Sequence, residues 1–361
     1  MSGVDVTTIL LITILLPAAT AFAATPLVIS LARRFRLLDR PGPGKIHEAP
    51  APTLGGLALV VAVLGSLFAL EPLGLGLAPH HARGLALASL PLVLVGIADD
   101  LGIQSIPLKL LGHSLAGLAL FASGISVSLL TNPLGDAFAL GPLALPATVL
   151  FVVAITNAMN LCDGLDGLAA GIAGVAAFSL AVVGGIQGAE DVRVLGLVIA
   201  GAVVGFYPYN LPKARIFLGD VGSTFLGLCL ATLALIQNRK AAAAITLLVP
   251  IMALGLPLLD TVLAIVRRTA IGRSPLERDL GHLHHRFLRL GLSPKQVLGL
   301  LLGLTAGLGA SAVAIAEVSK QVALVVALFV SLLGILGLLG LVRLERRTEG
   351  RGGEGHLLQK V

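Results

Sequence analysis

The chain has 361 residues, of which 56% are hydrophobic and 12% charged, with no Trp and a mean hydropathy of +0.99. That composition excludes a soluble globular core and predicts an all-α polytopic membrane protein. The formal net charge of +6 would suit a nucleic-acid binder if the chain were soluble, but in a membrane protein it is first a matter of topology.

The opening run, 6–32, has no Lys or Arg before it and is followed by Arg33, Arg34 and Arg36. A secretory signal has the reverse order, so the run predicts a first span with its N-terminus outside. Further apolar segments follow at 54–70, 84–98, 108–123, 143–157, 168–186, 194–209, 223–236, 241–266, 296–316 and 321–342. Together they predict about 11 transmembrane helices. With that parity most of the 25 Lys and Arg residues fall in loops after odd-numbered spans, which puts those loops and the C-terminus in the cytoplasm. The basic balance is then accounted for without nucleic acid. A single membrane domain is expected over 1–342, with a mobile, Gly- and charge-rich cytoplasmic tail at 343–361. Cys162 and Cys229 have neither metal nor disulfide spacing and are expected to be packing residues.

The same parity gathers the polar motifs on one face. The loop after the first span carries Lys45 and His47 in PGKIHEAPAPTLGG; Ile46 follows the lysine, so the GxxxxGK[ST] phosphate loop is absent. After the third span, Asp99 and Asp100 stand side by side at the end of an apolar run. Repulsion and desolvation would protonate one of them unless a cation is near, and a hard divalent ion fits oxygen ligands.

After the fifth span comes NAMNLCDGLDGLA, with Asn157, Asn160, Asp163 and Asp166 three residues apart. On a helix or 3₁₀ turn this spacing makes one polar ribbon. Alone, DGLDG reads equally as a solvated acidic loop. What argues otherwise is that the other polar clusters fall on the same side of the membrane; between such apolar flanks a carboxylate at mid-bilayer costs about 2.5 to 3.5 kcal/mol on the mildest scale, so two acids there call for a cation, a partner or water.

Asn210 and GDVGS, 219–223, follow the seventh span. Flanking glycines let a ligand approach Asp220, and Ser223 is expected to cap the next span. Asp260 sits inside the ninth span, where it either pairs with a neighbouring helix or lines a cavity, and the sequence assigns it no role. From Ser274 to Gly291 the pattern predicts a surface helix with Arg278, His282, His285 and Arg289 on a basic stripe. HLHH lacks HExxH spacing, which argues against a zinc protease. On the outer side His80 and His81 are expected to be a solvated pair.

Taken together and in this order, KIHEAPAP, the Asp pair, NAMNLCDGLDGLA, the 210–223 run and GRSPLERDLGHLHHRF resemble the polyprenyl-phosphate N-acetylhexosamine-1-phosphate transferase superfamily. Within it they are most similar to the WecA/TagO branch, related to MraY. The resemblance covers about 33–295. It implies a magnesium-dependent enzyme of the bacterial cytoplasmic membrane, with manganese as a conceivable substitute and its active site built from cytoplasmic loops. The implied reaction transfers N-acetylglucosamine-1-phosphate, or a related sugar phosphate, from a UDP-N-acetylhexosamine to undecaprenyl phosphate and releases UMP.

By the same resemblance Asp220 is a metal ligand, with Asp100 and Asn160 beside it. Asp99, Asp100, Asp163, His282, His284 and His285 are catalytic candidates. Lys45, His47, Asn157, Asn160, Asp163, Asp166, Asn210, Phe217, Arg278 and Arg289 would line the substrate site. Direct attack by the lipid phosphate is favoured over a covalent intermediate on Asp163. One departure stands out: Thr53 occupies a position where the family commonly has Arg, which bears on donor choice. A MurNAc-pentapeptide donor is the neighbouring alternative, an ion-coupled transporter the alternative of another class, and homodimer formation is left open.

Overall fold

A computed structural model describes residues 6–39, 50–130, 138–240, 248–270, 272, 281–316 and, in part, 318–340. Lys45, His47, Arg278, the expected helix start at Ser274 and the tail from 343 lie outside the described residues.

Among the described residues, eight helices are long and apolar enough to cross a membrane. They are α1 (Val6–Arg34), α2 (Gly56–Leu70, extended by a 3₁₀ turn to Leu73), α3 (Pro79–Asp100), α5 (Ala144–Cys162), α6 (Leu168–Ile186), α7 (Glu190–Asn210), α8 (Gly219–Lys240) and α12 (Pro294–Ile315). Two shorter apolar helices, α4 (Ile106–Ala122) and Gln321–Gly334, occupy the fourth and last predicted segments. Leu27, Leu94 and Leu150 are among many large apolar side chains left exposed, the pattern of a protein whose outer solvent is lipid. The protein is a multi-pass, all-α membrane protein.

The expected ninth span is not continuous. It is α9 (Leu248–Ala253) and α10 (Gly255–Ala270), broken at Leu254. Pro257 explains the break, because it has no N–H for the carbonyl of Ala253 and its ring crowds that group. A short helix, α11 (Leu283–Arg289), follows.

Local signals account for several ends. Ser293 and Gln296 form a reciprocal capping box before α12, with Pro294 at its first position. Ser105 accepts from the Leu108 N–H at the start of α4. Glu190 and Asp191 lie in the first turn of α7, where the dipole favours acids.

Burial shows which helix is central. The membrane window of α8 is 89% buried and that of α1 17%. Glycines let backbones meet around the start of α8: a Cβ on Gly56 of α2 would collide with Gly222, and one on Gly96 of α3 would lie 2.7 Å from the Val221 Cα. A two-residue ribbon, Leu38–Asp39 with Ala51–Pro52, ties the end of α1 to this junction. Phe217 N–H then donates to Pro52 O (2.9 Å), and Gly55 N–H donates to Phe217 O (3.0 Å).

At the opposite end the expected solvated pair is not found. His81 is 6% exposed, and its Nδ1 lies 2.6 Å from Asp191 Oδ2, whose partner oxygen accepts the Ala78 N–H (3.2 Å). A buried imidazole must find a partner, and here it joins the starts of α3 and α7. Cys162 and Cys229 are free and buried, as the spacing predicted.

Candidate active site

The acidic pair lies on the last turn of α3, and the two residues do different things. Asp100 accepts the Asp220 N–H through Oδ1 (3.0 Å) and the Val221 N–H through Oδ2 (3.4 Å). It therefore caps the first turn of α8, where free N–H groups and the helix dipole stabilise a carboxylate. Gly219 permits this, since a Cβ there would sit 2.6 Å from Asp100 Oδ2. The cap expected of Ser223 is thus supplied by Asp100. GDVGS is already helical, and the Ser223 hydroxyl donates to Gly219 O (3.0 Å) while accepting from Asn160 Nδ2 (3.0 Å).

Asp99 is 8% exposed and holds Lys109 Nζ at 3.0 Å through Oδ2, while its Oδ1 is buried without a hydrogen-bond partner. The same ammonium pairs with Asp220. Lys109 of α4 is therefore the positive centre of the acid cluster, and sequence reasoning did not single it out. A signal was present: a lysine inside an apolar helix needs a partner as much as an intramembrane Asp does. His113, one turn further along α4, is 2% exposed with Nδ1 unpartnered.

The Asn/Asp ribbon divides between helix and turn. Asn157 and Asn160 close α5, Asp163 is its C-cap, and Asp166 lies in the turn before α6. Asp166 Oδ2 accepts the Ala214 N–H (3.1 Å), and Asn210 takes the Gly167 N–H (3.2 Å) and donates to Ile216 O (3.0 Å). Asn210 is 2% exposed, so its amide braces the acidic turn against the loop that presents Phe217. Burial, then the charges of Asp220, Asp100 and Asp166, push the Asp163 carboxyl well above its usual range.

The histidine segment differs from the expected surface stripe. α11 begins at Leu283 with His282 as its N-cap, and His282, His284 and Arg286 are buried while Arg289 is exposed. The cause is Asp260, whose carboxylate receives His282 and pulls the helix start inward. His284 packs on Gly164, between Asp163 and Asp166, where any Cβ would strike its Nε2. Burial and the neighbouring His285 lower its pKa to about 3, so it is a neutral imidazole. His285 stacks obliquely on it, centroids 4.1 Å apart.

Thr53, where the family commonly has Arg, is 7% exposed with its hydroxyl unpartnered. Among the described residues no three His, Cys, Asp or Glu side chains form a ready-made metal cage. The donor set nonetheless fits a hard cation held by few protein ligands. Asp99 Oδ1 is orphaned and four other acids crowd one another, so carboxylate oxygens, which suit a hard cation, dominate the cluster. Asp220, at the start of α8, would lead such a set. Asp100 has spent an oxygen lone pair on each backbone N–H, and the Asn160 amide nitrogen is engaged with Ser223.

Comparison with known proteins places the chain in a family. The family description "Glycosyl transferase family 4" matches residues 82–238, which include the Asp pair, Lys109, the acidic turn and GDVGS. A Bacillus subtilis protein named "Probable undecaprenyl-phosphate N-acetylglucosaminyl 1-phosphate transferase" is 33% identical over 277 residues, 76% of each chain. A Mycobacterium tuberculosis decaprenyl-phosphate N-acetylglucosaminephosphotransferase is 33% identical over 331 residues, covering 82% of this chain and 80% of its own. A Thermotoga maritima undecaprenyl-phosphate alpha-N-acetylglucosaminyl 1-phosphate transferase is 30% identical over 272 residues, 75% and 80% of the two chains. The chain therefore belongs to glycosyl transferase family 4, within the polyprenyl-phosphate N-acetylhexosamine-1-phosphate transferase superfamily.

Proposed function

We propose that the chain transfers N-acetylglucosamine-1-phosphate from UDP-N-acetylglucosamine to undecaprenyl phosphate at the cytoplasmic leaflet. The products are UMP and undecaprenyl-pyrophosphoryl-N-acetylglucosamine. The names of the relatives support the transferred N-acetylglucosamine phosphate and a polyprenyl-phosphate acceptor. The observation that carries the chemistry is the junction of α3, α4 and α8, where Lys109 bridges Asp99 and Asp220 while Asp100 holds the Asp220 backbone. One substrate is soluble and the other is in lipid, and acids and a lysine gathered at one end of the helices suit their meeting point. That gathering also favours an enzyme over an ion-coupled transporter, whose polar groups belong at the midplane.

Phosphoryl transfer asks the protein mainly for position and charge. Asp99 Oδ1 has no other partner and is the base we assign to the acceptor phosphate. An oxygen of that phosphate attacks the sugar-bearing phosphorus of the donor, the bond to UMP breaks, and the proton displaced from the acceptor rests on Asp99. Lys109 draws the phosphates in and offsets the charge that builds on them. Bound magnesium, held through Asp220, would neutralise the diphosphate. Asn157 and Phe217 would flank the nucleotide sugar, with neutral His284 behind the acidic turn.

The test is release of UMP from radiolabelled UDP-N-acetylglucosamine by the purified protein, with undecaprenyl phosphate, with and without magnesium. Labelled lipid should form only with the metal. A panel of UDP-sugars separates this donor from a MurNAc-pentapeptide donor. Asp220→Ala should abolish turnover while the protein still inserts, and retained turnover would remove Asp220 from the metal site.

A further inference from the structure

Asp260 is the buried acid that the chemistry above leaves without a task. It is 5% exposed, and both of its oxygens are used: Oδ2 faces His282 Nδ1 at 3.0 Å, and Oδ1 accepts the Leu283 N–H at 3.0 Å. Leu283 is the first residue of α11, and the His282 side chain supplies no cap of its own. One carboxylate on α10 therefore fixes both the start of α11 and one edge of the His282 ring. An acid that accepts at Nδ1 keeps a proton there and leaves Nε2 as the outward nitrogen. The His282 and His284 rings lie nearly parallel, 5° apart with centroids at 6.1 Å. His284 in turn rests on Gly164 in the acidic turn, its Nε2 buried with no partner.

We propose that Asp260 is a positioning residue for the transfer: it sets the His282 tautomer and seats the His282–His284 pair against the Asp163–Asp166 turn. The inference rests on the transferase reading for its kinetic consequence, while the tautomer itself is independent of it. Losing an outer partner that orients a ligand or base typically costs about 10- to 100-fold, and a loss confined to kcat marks an interaction made only in the transition state.

Asp260→Asn separates the two duties of the carboxylate. Asn keeps an oxygen for the Leu283 N–H, so α11 retains its cap, but turns an amide N–H toward His282 Nδ1 and drives the ring proton to Nε2. In UMP-release assays on the full chain, kcat should fall about 10- to 100-fold, with KM for donor and lipid each within about twofold of the parent. In a His282→Ala background the same change should cost less than about twofold, because its route of action is gone. Loss of the same size in both backgrounds, or a D260N enzyme within twofold of the parent, overturns the proposal.

The second readout needs no turnover. Histidine ¹⁵N NMR of the solubilised full chain, with His282 assigned by difference from His282→Ala, should report the Nδ1–H form in the parent and the Nε2–H form in D260N. A parent His282 protonated at Nε2 alone refutes the assignment of Asp260. A parent that fails to release UMP refutes the transferase reading instead, and the tautomer result still decides what Asp260 does.

Discussion

At the scale of single residues, Lys109 has the clearest consequence. Its ammonium is the positive charge shared by Asp99 and Asp220, and removing it leaves two carboxylates facing each other in a partly desolvated place. Lys109→Ala should lower UMP release by at least about 10²-fold, the usual cost of deleting one preorganised charge-stabilising group. The sequence reading did not single out Lys109, which lies inside the predicted fourth segment. Asp163 gives the opposite trade. Its folded pKa is raised by burial and neighbouring acids, so the metal-free protein loses stability as pH climbs from the unfolded carboxyl value through the folded one. Asp163→Asn should therefore raise the melting temperature in chelator, as a thermal melt against the parent would show. Added magnesium should shrink that difference.

At the scale of elements, the start of α8 depends on bare backbone. Gly56 of α2 meets Gly222, and Gly96 of α3 meets Val221, so both helices close on the turn that carries Asp220. Gly56→Ala should cost about 1–3 kcal/mol as overpacking. It should also reduce activity although residue 56 bears no functional group, as thermal melts and UMP release on one preparation would show. The α11 contact has a pH signature. The folded pKa of His284 is depressed to about 3, so its packing on Gly164 is fully stable above the unfolded value of 6.5. Stability is lost as pH falls from there toward 3, where the unfolded chain takes up a proton that the folded chain refuses. Hydrogen exchange over 281–291 should rise across that window, and His284→Gln should flatten the dependence.

At the scale of the whole molecule, the prediction is topological. The starts of α3 and α7 with the His81–Asp191 pair lie at one end of the bundle, and the acids lie at the other. Lys213 and Gln187 are exposed near these two ends. In a cell-based labelling assay, Lys213→Cys should react from the cytoplasmic side and Gln187→Cys from the outside. Reaction of both from one compartment would break the orientation, and with it the supply of a soluble nucleotide sugar to the site.

Sequence by itself determined that the chain is a bundle of apolar helices, that its polar motifs share one end, and that Asp99, Asp100, Asp163 and Asp220 belong together. These follow from hydropathy, charge bias and the order of motifs, which are properties of the linear chain. Only the tertiary structure decided how the polar groups divide their work. Asp100 caps a helix, Lys109 joins two acids, Asn210 braces a turn, and Asp260 draws the histidines inward. Each of those facts is a contact between residues far apart in the chain. A charge in an apolar helix demands some partner, but which partner is fixed by how the helices pack, and that is not written in any one segment.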